Sequence, residues 1–178
     1  SLLLLLHRIC DGLFCSTAFN HAHNMNSHPL VSVLICTFNA EQFIEQTIAS
    51  VMSQTYKNLE ILVLENGSSD STLNILKHRS DPRLRVVEND HNIGAYLGLN
   101  CLLAQASGKY VAIIDHDDLW HVEKIELQLQ FMEAHPDVPA CGSQMYVWWE
   151  SDQYVSLFAA NEVDTKAYHQ TLFFRNNP

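Results

Sequence analysis

At 178 residues, 47% hydrophobic and 17% charged, the chain is long enough for one domain with a real core. Ten Lys and Arg against 20 Asp and Glu give a formal net charge of -10. That argues against nucleic acid or an anionic membrane surface as the main partner, because both reward basic stripes; an anionic substrate would call for a bound cation.

The first 28 residues read as an extension with little fold content, and residues 29–178 as one domain. The run Leu2 to Leu6 is far short of the roughly 18 apolar residues a membrane span needs. Its charges follow it instead of preceding it, which is the wrong order for a signal peptide. His7, His21, His23 and His28 read as disordered polar residues, with adventitious metal binding by His21-x-His23 the alternative.

From Leu30 the pattern is regular. Val31-Ser-Val-Leu-Ile-Cys36 is a continuous apolar run, the mark of a buried strand. Phe43, Ile44, Ile48, Val51 and Met52 give one apolar face to a helix over 41–55. Leu59 to Leu64 is a second strand. The turn Glu65-Asn-Gly-Ser-Ser-Asp70 follows, with serines able to cap a helix over 70–78. Leu84 to Val87 is a short third strand. His91-Asn-Ile-Gly94 opens a helix through Ala106, ended by Gly108. Tyr110 to Ile114 is the fourth strand. Val122, Ile125, Leu129 and Met132 mark another helix, stopped by Pro136. Cys141 to Trp149 reads as one strand with aromatic alternation, and Asn161 to Phe174 as a helix.

Five cysteines, Cys10, Cys15, Cys36, Cys101 and Cys141, include no C-x-x-C pair. They read as reduced, mostly buried thiols of a cytosolic protein, peripheral to the inner membrane face at most.

Strands alternating with helices predict an α/β fold, a mostly parallel sheet with helices on both faces. Ligands in such sheets bind beyond the carboxyl ends of the strands. Thr37 to Asn39, Glu65-Asn66 and Asp115 to Asp118 each follow a strand directly, so all three should meet on one rim.

The acid cluster is the sharpest signal. Asp115 and Asp117, at i and i+2, can reach one cation, and carboxylate oxygens suit Mg²⁺ or Mn²⁺. Asp118 is left to cap the next turn, and His116 points the other way. The plain alternative is a solvated loop with a helix cap. Glu65 and Asn66 offer a carboxylate for an imide N–H, or simple turn chemistry beside Gly67. Thr37, Phe38 and Asn39 offer a hydroxyl, an aromatic face and an amide for a base, or a polar loop with a core Phe. Asn92 and Gly94 open a helix whose amides could face an anion. Trp148-Trp149 is a sugar platform or core. No G-x-G-x-x-G follows the first strand, and no Walker-type phosphate loop occurs.

In this order, Val31-Ser-Val-Leu-Ile-Cys-Thr-Phe-Asn39, Glu65-Asn-Gly-Ser-Ser-Asp-Ser-Thr72, Asn92-Ile-Gly94, Gly108-Lys-Tyr-Val-Ala-Ile-Ile-Asp-His-Asp-Asp-Leu-Trp120 and Lys124 resemble the family-2 inverting glycosyltransferases of GT-A fold. The likeness covers about residues 30 to 149. It implies metal-dependent transfer of a hexose from a nucleotide-diphosphate sugar, UDP-sugar favoured, to a hydroxyl of a glycan or lipid-linked acceptor, in cell-surface polysaccharide or glycoconjugate synthesis. Thr37, Phe38, Asn39, Glu65, Asn66, Asn92, Gly94 and Asp115 would line the donor, with Glu65 where an aspartate is more usual. Asp115 and Asp117 match the D-x-D, and Asp117 is the more direct metal ligand.

Two departures matter. Leu99 precedes Asn100 where many members carry Arg-Asn, so a positive contact to the diphosphate is missing or supplied elsewhere. The family's acceptor-side Glu-Asp is absent after Asp118, as though the chain stopped short of that segment. Glu150, Asp152, Glu162 and Asp164 do not match it, so no catalytic base is assigned. The competing readings are a nucleotide-sugar-binding fragment without turnover, a nucleotidyltransferase and a receiver domain. The nucleotidyltransferase would want Gly and a cation in Thr37-Phe-Asn-Ala-Glu41, which has neither. A receiver would spread its aspartates over separate strand ends.

Overall fold

A computed structural model describes residues 28–143, 145–149, 154–158 and 173–175. A six-stranded sheet has the order β3-β2-β1-β4-β8-β5, built from β1 (Val31–Thr37), β2 (Leu59–Asn66), β3 (Leu84–Asn89), β4 (Tyr110–Ile113), β5 (Ala140–Cys141) and β8 (Phe173–Arg175). The first four strands run parallel, and β8 is antiparallel to both β4 and β5. A separate hairpin pairs β6 (Met145–Trp149) with β7 (Tyr154–Phe158).

Helices cover both faces, which is why β1 and β2 are mostly apolar, broken within by Ser32 and Glu60, instead of strictly alternating. Val33, Ile35, Ile61, Val63 and Ala112 turn to one face. There they pack with Ile44, Ile48 and Val51 of α1 (Ile44–Met52), Leu76 of α2 (Thr72–Lys77), and Ile125, Leu129 and Met132 of α4 (Lys124–Ala134). Leu34, Leu62, Leu64 and Val111 turn to the other face, under Leu102 of α3 (Ala95–Leu103). These strand side chains are almost fully buried. At about 25 cal/mol per Å² of apolar surface removed from water, this double burial is the main stabilising term.

The elements depart from the sequence expectations where local chemistry intervenes. α1 starts at Ile44 and not Glu41, because 41–43 form a turn that leaves Phe43 exposed. α2 is tied at its start by Asp70, not by a serine: Asp70 Oδ1 accepts from Thr72 N at 3.0 Å and Thr72 Oγ1 at 2.5 Å, while Ser71 makes no side-chain cap bond. α3 starts at Ala95, four residues after His91, because Asn92 and Gly94 are held in a turn. It stops at Leu103, ahead of Ala106. Val122 precedes α4 and is exposed. The expected strand 141–149 is two strands in two sheets, β5 and β6. Phe173 and Phe174, expected at the end of a helix, pair instead with β4 and β5; 161–172 lie outside the described residues. Cys101, expected buried, is exposed on α3, while Cys36 and Cys141 are half-buried, and all three are free thiols. His7, His21, His23, Cys10 and Cys15 also lie outside the described residues. His28, expected to be disordered, accepts a hydrogen bond at its carbonyl from Asn58 Nδ2.

Candidate active site: the carboxyl rim of the parallel sheet

Strand register brings the predicted clusters together. Thr37 and Glu65 are Cα partners at the end of β1 and β2, and Asn66 partners Asn89 at the end of β2 and β3. Leu34 partners Ile113; carrying that register on by two residues sets Asp115 level with Cys36, next to Thr37. His116 Nδ1 lies 3.4 Å from the Cys36 carbonyl oxygen, which closes the acid turn over β1.

The loop after β1 is laced to the loop after β2. Asn39 takes a left-handed backbone, φ 49°, a conformation that Asn tolerates. Its Oδ1 accepts from Ser69 N at 2.9 Å, and its own N–H donates to Ser68 Oγ at 3.0 Å. Ala40 N donates to Thr72 Oγ1 and Glu41 N to Asp70 Oδ2. Ser68, Ser69 and Asp70 thus frame the rim, a role the sequence reading missed; the run of small polar residues after a strand was its only signal.

Glu65 is buried, and its carboxylate accepts from Ser68 N at 2.8 Å and Gly67 N at 3.3 Å. It holds its own turn, and each oxygen keeps a further lone pair. Gly67 takes φ 73°, and a Cβ there would stand 2.6 Å from the His91 Cα, so the turn presses directly on the next loop. Asn66 is a pin. Its Oδ1 accepts from Ile93 N at 3.1 Å and Asn89 Nδ2 at 3.2 Å, and its Nδ2 donates to Asn92 Oδ1 at 2.9 Å. Asn92 Oδ1 also accepts from Gly94 N at 2.7 Å, so Asn92 and Gly94 form the ordered entry to α3.

Two side chains at the end of β1 have capacity to spare. Thr37 Oγ1 is buried and has no hydrogen-bond partner among the described residues. Leaving a hydroxyl so costs about 1–3 kcal/mol, which a ligand acceptor or donor would recover. Phe38 is 37% exposed, so its ring is open to stacking and is not core.

Asp115, Asp117 and Asp118 stand on one turn, closed by Asp118 N donating to the Asp115 carbonyl at 3.2 Å. Asp117 is exposed and the other two are half-buried. Burial first, then the charges of Asp115 and Asp117, push the Asp118 carboxyl up to about 6, against a smaller opposing pull from His116. The donor set at this turn is all oxygen, the chemistry a hard cation takes. The residues therefore fit a divalent ion. Among the described residues no three His, Cys, Asp or Glu side chains converge as a complete ligand set.

Below the turn, Lys124 is buried. Its Nζ donates to Gln128 Oε1 at 2.6 Å and sits 5.1 Å from the Trp120 ring centroid. Burial pushes its ammonium down to about 8. Glu150, Asp152, Glu162 and Asp164 lie outside the described residues, and Trp148 and Trp149 fall on β6.

Known proteins share this fold. A mannosyltransferase from Pyrobaculum calidifontis, solved with GDP-Man and Mn²⁺, superimposes with TM-score 0.69 at 25% identity, over 97% of this chain and 51% of that one. S. aureus TarS 1-349, solved with UDP, matches in fold with TM-score 0.70 at 24% identity, over 82% of this chain and 46% of that one. Both neighbours are glycosyltransferases of GT-A fold. In sequence, a glycosyltransferase of Haemophilus influenzae is 40% identical over 130 residues, covering 72% of this chain and 40% of its own length. The UDP-Glc:alpha-D-GlcNAc-diphosphoundecaprenol beta-1,3-glucosyltransferase WfaP of Escherichia coli is 40% identical over 105 residues, 59% of this chain and 42% of its own length. The chain thus spans about two fifths of these curated relatives. The family model for glycosyl transferase family 2 matches residues 32–176, nearly the whole of the sheet and its rim, and the chain belongs to that family.

Proposed function

We propose that the rim binds a nucleotide-diphosphate sugar, a UDP-sugar in preference, together with Mn²⁺ or Mg²⁺. The protein of which this chain is a part or the whole then transfers the sugar with inversion to the hydroxyl of a glycan or lipid-linked acceptor. The observation that carries this reading is the meeting of Thr37, Glu65 and Asp115 at the ends of adjacent parallel strands. A nucleoside lies over β1 and β2, where Phe38 offers a ring face, Thr37 an unused hydroxyl and Glu65 a carboxylate for an imide N–H. Asn39 and Asn66 hold the two loops in place, and Asn92 and Gly94 present the start of α3. Asp115 and Asp117 would hold the cation, which would supply positive charge to a diphosphate and its leaving group.

That arrangement also answers the charge problem. A chain of net charge -10 takes an anionic donor because a cation intervenes at the turn where Asp115, Asp117 and Asp118 stand together. The lipid-linked substrate in the name of the E. coli relative supports a place beside the inner membrane face, in cell-surface polysaccharide synthesis. Among the described residues no helix is long and apolar enough to cross a membrane.

A panel of nucleotide-sugars screened by thermal shift with Mn²⁺ tests the reading. One UDP-sugar should raise the melting temperature in a dose-dependent way, as a ligand bound to the native state adds RT ln(1 + [L]/Kd). A flat response across UDP-, GDP- and dTDP-sugars would remove it. Release of UDP with an acceptor present separates transfer from binding without turnover.

A further inference from the structure

One side of α1 is polar yet faces inward. Thr47 and Ser50 lie one turn apart on α1, and Gln54 follows two residues beyond its end. Each bonds the backbone of the segment that carries the carboxylates. Thr47 Oγ1 donates to the His116 carbonyl at 2.8 Å. Ser50 Oγ accepts from Trp120 N at 3.2 Å. Gln54 Nε2 donates to the His121 carbonyl at 2.8 Å, and its Oε1 accepts from Ile125 N at 3.0 Å. Thr47 and Gln54 are fully buried, so these bonds form out of water.

The Thr47 bond has particular leverage. The His116 carbonyl belongs to the peptide that joins His116 to Asp117. Fixing that peptide plane fixes the Cα of Asp117 and narrows the direction in which its side chain leaves the chain, one residue on from Asp115's own peptide. Two adjacent carboxylates left to themselves repel and splay; a site for one ion needs them held together before the ion arrives.

We propose that Thr47, with Ser50 and Gln54 behind it, is a positioning residue for the divalent cation: α1 clamps the segment 116–125 so that Asp115 and Asp117 present their oxygens to one ion. The proposal rests on the reading of those two aspartates as cation ligands. Its consequence is that part of the metal affinity is stored in a helix that touches neither metal nor donor, as outer-shell partners commonly do.

The test uses the intact protein. Mn²⁺ binding in the presence of UDP is followed by electron paramagnetic resonance, UDP binding in EDTA by calorimetry, and folding by thermal melting. Thr47→Val keeps the shape and removes the donor; Thr47→Ser restores it. Thr47→Val should weaken Mn²⁺ by about 10- to 100-fold, leave UDP affinity in EDTA within about twofold, and be rescued by Thr47→Ser. A folded Thr47→Val that holds Mn²⁺ as wild type does overturns the proposal, and so does an equal loss of UDP affinity with and without metal. Should Thr47→Val not fold, Ser50→Ala serves instead, with an expected loss of about 2- to 10-fold, the worth of one hydrogen bond; unchanged Mn²⁺ affinity there overturns it equally. If wild type with UDP takes up no Mn²⁺, the reading of Asp115 and Asp117 fails first and the positioning role falls with it.

Discussion

Thr37 and Glu65 stand opposite each other as the last matched pair of β1 and β2, both buried, one with an unused hydroxyl and the other with a carboxylate occupied by its own turn. The pair divides the labour of the rim. Glu65 shapes the loop, and Thr37 keeps bonding capacity for something else.

Thr37→Val should therefore separate stability from binding. The hydroxyl has no partner to lose among the described residues, so urea unfolding should show a change within about 1 kcal/mol, in favour of the variant. UDP affinity should drop by about 2- to 10-fold, again the worth of one hydrogen bond. A clear loss of stability with unchanged UDP affinity would show that the hydroxyl is structural.

Gly67→Ala should be costly to folding. The new Cβ would lie 2.6 Å from His91 Cα and 2.8 Å from His91 N, at φ +73° where side chains are strained. A penalty of about 1–3 kcal/mol follows, or a melting temperature lower by about 3–10 °C. A shift below about 1 °C would mean that the loops after β2 and β3 are not pressed together.

Lys124 gives a pH prediction. Its folded pKa, near 8, lies below its ordinary value of 10.5, because burial disfavours the charge. The unfolded chain then binds more protons between those values, so stability rises with pH from about 8 to about 10.5. Below pH 8 the buried charge costs on the order of 3 kcal/mol. Lys124→Met should be more stable than wild type at pH 7 and lose most of that advantage by pH 10, as read by denaturant midpoints at the two pH values. Equal midpoints at pH 7 would mean that the ammonium carries no burial penalty.

Thiol chemistry tests the packing of α3 on β1. Burial, then the charges of Asp115 and Cys101, push the Cys36 thiol up to about 11, while Cys101 is exposed. At pH 8 about 0.1% of Cys36 is thiolate. Mass mapping after brief alkylation should find Cys101 modified and Cys36 intact. Labelling of Cys36 first would contradict the observed packing.

Much of this was legible in the residues. Val31 to Cys36 and Leu59 to Leu64 are apolar but for Ser32 and Glu60 because two helix layers bury them, and the ends of these runs locate the rim at Thr37 and Glu65. The rest was hidden for physical reasons. Nothing local distinguishes β5 from β6, since sheet membership is a long-range choice. Phe173 and Phe174 carry no period that separates a strand from a helix. Thr47, Ser50 and Gln54 look like a solvated helix face; their inward turn shows only once the backbone they hold is in place. Asp70 capped α2 where serines were expected, because its carboxylate reaches the Thr72 amide and hydroxyl together.

The central claim is that Asp115 and Asp117 join the donor to the chain through a cation. Calorimetric titration of UDP in Mn²⁺, for wild type and Asp117→Ala, measures it most directly. Wild type should bind, Asp117→Ala should bind at least about tenfold more weakly, a loss of ~1.4 kcal/mol, and EDTA should bring wild type down to the level of the variant. Equal affinity in the two proteins, or no binding by either, would contradict the account.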